Sequence, residues 1–192
     1  MPDNHVSLQA NWIPNTYRIT TLYTGTDGTT GFSSPYGSTV SINAGTKKGH
    51  TFIGWSFPDS SKTASLSNNL AQTSFLVPNN DVIVQANWNK NNYTLTAASL
   101  GENGSGNGTY FYGDKVTLKA GTKDGYYFKG WRIETGENEL NGLDLNQTNL
   151  VFSMPAENVV ITAQWTAVRN AVIRVTDKFN ATYKISPYYR PE

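Results

Sequence analysis

Shifted by 76 residues, the chain lies on itself. Tyr17 falls on Tyr93, Gly25 on Gly101, Gly28 on Gly104, Tyr36-Gly37 on Tyr112-Gly113 and Val40 on Val116. Ala44-Gly45-Thr46-Lys47 falls on Ala120-Gly121-Thr122-Lys123, and the register holds through Phe52 on Phe128 to Gly54-Trp55 on Gly130-Trp131. From Tyr17 to Trp55, 15 of 39 positions are identical without a gap, where chance at ordinary residue usage gives roughly two or three. One extra residue enters between Trp131 and Phe152; beyond it a shift of 77 lays Phe75 on Phe152, Pro78 on Pro155, Val82 on Val159, Ala86 on Ala163 and Trp88 on Trp165. This duplication constrains the fold more than any single motif, because it divides 192 residues into copies of one small folding unit.

The opening PDNHVSLQANW, residues 2–12, matches PNNDVIVQANW, residues 78–88, at seven positions. It reads as the last strand of a further copy, and Met1, which falls on Met154, as an internal methionine of a longer array. The expected units are 1–12 as the end of a preceding repeat, 13–89 and 90–166 as two complete repeats, and 167–192 as a C-terminal hairpin, a cap or the start of another module. Val6, Leu8, Ala10 and Trp12 alternate, so a strand at 2–12 is expected to dock on the following repeat or on a neighbouring chain. Four residues separate Trp12 from Tyr17 and Trp88 from Tyr93, reaching at most about 13 Å when extended.

Each copy reads as strands. Val82, Val84, Ala86 and Trp88 alternate along one face, as do Val159, Ile161, Ala163 and Trp165, Val40, Ile42 and Ala44, and Val116, Leu118 and Ala120. TGTDGTTG (24–31) and GENGSGNG (101–108) read as hairpin tips. Only 59–72, DSSKTASLSNNLAQ, has a helical look; its counterpart, 135–148, contains Gly136 and Gly142, which disfavour a regular helix. NAVIRVTDKFNATYKISPYY, residues 170–189, reads as a further hairpin around Asp177–Asn180. The fold class expected is mainly β, in tandem small β-rich modules that are β-grasp-like or small β-sandwich-like, with little helix.

Tyr-Gly, G-x-x-F-x-G-W and a closing V-x-V-x-A-x-W, in modules of about 75 residues over 1–165, resemble the internalin-type B-repeat, or Listeria–Bacteroides repeat, in its divergent form. The resemblance implies a small β-grasp-like module strung in tandem on bacterial surface proteins, between a ligand-binding head and the cell wall. The weak helical segment departs from the better-known version and puts the β-grasp helix in question. The function expected is therefore a non-enzymatic, extracellular spacer or stalk, attached to the wall through regions outside this chain. The alternative is an adhesive or carbohydrate-binding module that uses exposed aromatics and the variable loops 56–74 and 132–151.

Composition narrows the partners. Charged residues make up 15% of the chain and the net charge is +1, which leaves no basic stripe for nucleic acid. No apolar run approaches the roughly 20 residues a membrane-spanning helix needs. With no cysteine there is no disulfide framework, thiol nucleophile or thiolate metal site. Under the adhesive alternative the expected partner is a host protein or a glycan.

The site candidates are thin. Trp12, Trp55, Trp88, Trp131 and Trp165 recur in one register, as core residues do, rather than as a sugar-stacking platform. Tyr126, Tyr127, Tyr188 and Tyr189 are freer to form a sticky surface. GENGSGNG leads into another strand rather than a helix, so it is no phosphate loop. His50 takes the place of Tyr126, and His5 stands in a turn; neither shows triad partners. Glu134, Glu137, Glu139 and Asp144 lack the alternate spacing of a calcium loop and read as a solvated acidic loop rather than a glycosidase pair. No Lys repeats opposite an acidic residue on a core strand, as an isopeptide crosslink would require. No catalytic, cofactor-binding or metal site is assigned.

Overall fold

A computed structural model describes residues 7–58, 66, 69–136, 140–168, 173–176 and 182–185. The chain divides into two units, 1–91 and 92–192. Among the described residues every regular element is a strand.

The first unit holds β1 (Thr16–Leu22), β2 (Phe32–Pro35), β3 (Thr39–Asn43), β4 (His50–Ser56), β5 (Gln72–Leu76) and β6 (Val82–Lys90). Four of them form a mixed sheet in the order β2-β1-β6-β4. Its central pair, β1 and β6, is parallel, with Ile19 opposite Val82 and Leu22 opposite Gln85; the outer pairs are antiparallel. The other two, β3 and β5, form a separate antiparallel ladder. The core lies between the two layers, where Ile19, Ile42, Phe75, Val82, Val84 and Ala86 are buried together with Trp55.

The second unit repeats this with β7 (Asn92–Ala98), β8 (Gly108–Phe111), β9 (Lys115–Lys119), β10 (Tyr126–Thr135), β11 (Asn149–Ser153) and β12 (Val159–Ala167). Its sheet order is β8-β7-β12-β10 and its second layer is β9 with β11. Again the first and last strands run parallel, from Leu95 opposite Val159 to Ala98 opposite Thr162. Each unit is thus a small β-rich module of two strand layers, a four-stranded mixed sheet covered by a strand pair. Among the described residues of 59–72 and 135–148 no helix forms. In the second unit Gly142 adopts φ +92, and the segment lies back on Trp131: Leu145 O accepts from the Trp131 amide at 2.8 Å and Gln147 O from its indole N–H at 2.9 Å.

The recurrent F-x-G-W motif now has a physical cause. Residues three apart on a regular strand point to opposite faces, so Phe52 and Trp55 should not share a core. A bulge resolves this: Phe52 pairs with Trp88, Gly54 with Asn87 and Trp55 with Ala86, leaving Ile53 as the extra residue. Gly54 takes φ +136 and Gly130 φ +147, values that suit glycine alone. Both aromatics then face inward. Phe52 meets Trp55 and Trp88 edge to face at 5.6 and 5.5 Å; Phe128 meets Trp131 and Trp165 at 5.4 and 5.5 Å.

Residues 7–15 form no strand, and Leu8, Trp12 and Ile13 are 92%, 89% and 93% exposed. Trp12 is thus not a core residue here, and no docking of 7–12 on the following repeat is seen. The reason is pairing: β6 sits between β1 and β4, and β12 between β7 and β10, so both places for such a strand are filled. At the other end β13 (Ile173–Thr176) pairs antiparallel with β14 (Thr182–Ile185), as a hairpin requires; its turn around 177–180 lies outside the described residues. One residue, Asn91, separates β6 from β7, and its amide donates to Gly49 O at 2.9 Å. Val168 does the same to Gly125 O at 2.8 Å after β12.

Candidate functional site

Two of the words shared by the copies, G-x-x-G and A-G-T-K, meet in space. The loop after β1 folds onto the loop after β3: Gly25 N donates to Ala44 O at 2.8 Å, and Thr26 and Thr46 exchange N–H to O bonds at 2.8 and 2.9 Å. The second unit repeats it with Gly101 on Ala120 at 2.8 Å and Glu102 exchanging with Thr122 at 2.6 and 2.9 Å. Side chains are excluded because the backbones touch. A Cβ on Gly25 would lie 2.0 Å from Thr46 O, and one on Gly45, at φ +74, only 2.3 Å from Thr26 O.

Beside this clamp the first unit has a cleft of about 490 Å³. Phe52 and Trp88 supply its apolar lining, Lys47, Lys48 and His50 its basic side, and Thr26, Gly45 and Thr46 the rest. A four-residue turn shapes the basic side, with His50 N donating to Lys47 O at 3.0 Å. His50 Nδ1 also lies 2.8 Å from Lys48 O; a carbonyl only accepts, so Nδ1 carries the proton. Trp88 has given its indole N–H to Tyr23 O at 2.9 Å and therefore offers the cleft ring surface. At the matching positions the second unit has Glu102 for Thr26, Asp124 for Lys48 and Tyr126 for His50. Lys123, the counterpart of Lys47, holds its Nζ 4.4 Å from the centre of the Tyr126 ring.

The remaining candidates do not converge. Trp55 and Trp131 are buried core, and Trp88 and Trp165 are half-buried, the latter with its N–H on Ser99 O at 2.7 Å. Tyr126 and Tyr127 are 43% and 55% exposed. Tyr188, Tyr189, His5, Glu137 and Glu139 lie outside the described residues. Glu134 pairs with Arg132 at 2.5 Å and accepts from Thr162 at 3.2 Å. Among the described residues no three His, Asp or Glu side chains gather as metal ligands, and no polar or charged residue is buried.

Asp144 has a structural task. Its carboxylate accepts from the Gln147 side chain at 2.8 Å and from the Asn146 amide at 3.1 Å. These bonds, the Gln147 one foremost, hold its pKa below the usual carboxylate value. A depressed folded pKa means the contribution is complete above the unfolded value, about 3.9, and is lost as pH falls through the folded one. The protection factor of the Trp131 indole N–H should therefore be flat from neutral pH down to about pH 4 and then fall. In Asp144→Asn that acid limb should be absent; NMR-detected exchange measures both, and an unchanged limb in the variant would remove Asp144 from the account.

Three polar residues escaped sequence reasoning. Asp81 accepts from Arg18 N and Asn158 from Thr94 N, each at 2.8 Å, satisfying an early N–H of the first strand in each copy. Asn107 bonds both backbone groups of Ala97, accepting from its N–H and donating to its O. The first pair was findable, since Asp81 and Asn158 are in matched positions of the repeat. Asn107 was not, because its counterpart is Gly31.

Comparison with known proteins adds two findings. The family model described as "Divergent InlB B-repeat domain" matches residues 19–92 and 93–169, one stretch for each unit. The chain is also 26% identical over 163 residues to a protein of Evansella cellulosilytica described as "Putative membrane protein". That match takes in 84% of the chain and 23% of the relative, so the chain spans about a quarter of the relative's length. No solved structure matches.

Proposed function

Since this chain belongs to the divergent InlB B-repeat family, we propose that its two units are load-bearing spacer modules of an extracellular bacterial surface protein, wall-attached through regions outside this chain. The family resemblance supports a surface role, and the Evansella relative's description places that relative at a membrane. Among the described residues no helix is long and apolar enough to cross a membrane. The proposal assigns neither unit a catalytic role: Glu134 and Asp144 are engaged with neighbours rather than poised in a pair.

One observation carries the load-bearing reading. In both units the first and last strands lie side by side and parallel, β1 with β6 and β7 with β12. Tension entering at the start of a unit and leaving at its end pulls these strands in opposite directions along their length. The bonds between them then share the load and must fail together, whereas a hairpin pulled from its open end gives way one bond at a time. Pulling single molecules through handles before β1 and after β6 tests this. The first unit should extend by about 250 Å of chain on unfolding, and at a higher force than with handles at Asn15 and Tyr36, which peel β1 from β2. Equal or lower force in the end-to-end geometry would end the reading. An adhesive role is the second reading, and the exposed Tyr126 and Tyr127 favour it.

A further inference from the structure

We propose that the cleft of the first unit binds an anionic saccharide, a pyranose chain carrying carboxylate, sulfate or phosphate groups, and that the matching surface of the second unit does not. This is independent of the load-bearing reading, because a unit that binds nothing still carries tension.

The chemistry of the lining selects the ligand. Trp88 and Phe52 present ring surface, and the Trp88 N–H is already bonded to Tyr23 O. What remains is a face suited to the C–H side of a sugar ring rather than a donor for a carbonyl. Lys47 and Lys48 stand on the same cleft and supply positive charge and N–H donors for an anionic substituent, while His50, its Nδ1–H given to Lys48 O, borders them. The cleft does not depend on loop ordering to exist, because the Thr26–Thr46 bonds and the Lys47–His50 turn hold its walls in place.

The second copy supplies the internal control. Its backbone bonds are the same, from Glu102 with Thr122 to Tyr126 N on Lys123 O at 3.0 Å, and its aromatic trio matches to within 0.2 Å between ring centres. Its charges differ. With histidine neutral, Lys47 and Lys48 give the first cleft +2, while Lys123, Asp124 and Glu102 give the second surface +1 −1 −1, or −1. Lys123 is moreover drawn over the Tyr126 ring. Packing and folding demand the same Phe–Trp–Trp trio and the same loop glycines, Gly25, Gly28 and Gly45 with Gly101, Gly104 and Gly121, and both copies have them; neither demands this reversal of sign.

The test uses the full chain and four probes followed by amide shifts in NMR titrations. Three are tetrasaccharides of matched length, one bearing uronates, one sulfates and one phosphates; the fourth is the neutral N-acetylglucosamine tetramer. At least one anionic probe should bind with shifts centred on Thr46, Lys47, Lys48 and His50 and none centred on Thr122, Asp124 and Tyr126. The neutral probe should bind about tenfold more weakly or less, and raised salt should weaken the anionic one. Lys47→Glu with Lys48→Glu, both exposed positions, should weaken binding about tenfold or more while leaving the melting temperature in place. Conversely, Glu102→Thr with Asp124→Lys should create a second site. The proposal is overturned if no anionic probe binds, if neutral and anionic probes bind alike, or if inorganic phosphate alone displaces the saccharide as well as its own kind does. Shifts spread equally over both units would overturn it too.

Discussion

Trp131→Ala should abolish the cooperative fold of residues 92–168 at room temperature. The indole is 4% exposed, meets Phe128 edge to face, and closes the 140–148 segment through Gln147 O. Truncating a buried tryptophan costs about 3–5 kcal/mol, and a unit of this size has little more than that to lose, since small domains lie low in the 5–15 kcal/mol range of native stability. Every core partner of Trp131 belongs to its own unit, so amides of β1, β4 and β6 should keep their exchange protection while those of β7, β10 and β12 lose it. Trp12→Ala is the control: at 89% exposed it should shift no melting transition. Equal effects of the two substitutions would refute the assignment of Trp131 as the keystone of its core.

The second large effect is expected at Gly121. Its φ is +78, and a Cβ there would stand 2.4 Å from Glu102 O and 2.6 Å from Gly104 N, both backbone atoms that cannot swing aside. Gly121→Ala therefore combines left-handed backbone strain, about 1–2 kcal/mol, with overpacking of about 1–3 kcal/mol. Gly113→Ala separates the two causes: its φ is +77, but no atom lies within 4 Å of the added Cβ. Unfolding free energies from denaturant titration should fall by about 3 kcal/mol for Gly121→Ala and about 1 kcal/mol for Gly113→Ala. Comparable losses at both would mean that the loop-on-loop contact is not what glycine is there to permit.

Much of the architecture was legible because a repeat states its own boundaries. The alternation in Val82-x-Val84-x-Ala86 marks a strand with one buried face, and the structure buries those three side chains. F-x-G-W resisted reading by period, since a spacing of three fits neither face of a strand until the bulge at Gly54 and Gly130 is known. Trp12 matched Trp88 in sequence yet is exposed, because burial depends on partners to either side, and these are occupied by β6 and β12. The weakly helical look of 59–72 was a local preference, already weakened in its counterpart 135–148 by Gly136 and Gly142. In that counterpart, backbone bonds to Trp131 and the Asp144 turn take the residues instead. The cleft was invisible because its lining comes from Thr26, residues 45–52 and Trp88, which only the fold brings together. That Lys48 lines this cleft while Asp124 holds its place in the second copy could then be seen as a difference rather than as noise between diverged copies.

The lone Asn91 between the final strand of one unit and the opening strand of the next has an evolutionary corollary. No tether is present to be shortened, stretched or cut. A recombination event that duplicates or removes one whole period at this point in the gene recreates the same seam, because the second copy starts where the first stops. Lineages can thus change the number of copies by unequal crossover without having to reinvent a junction each time.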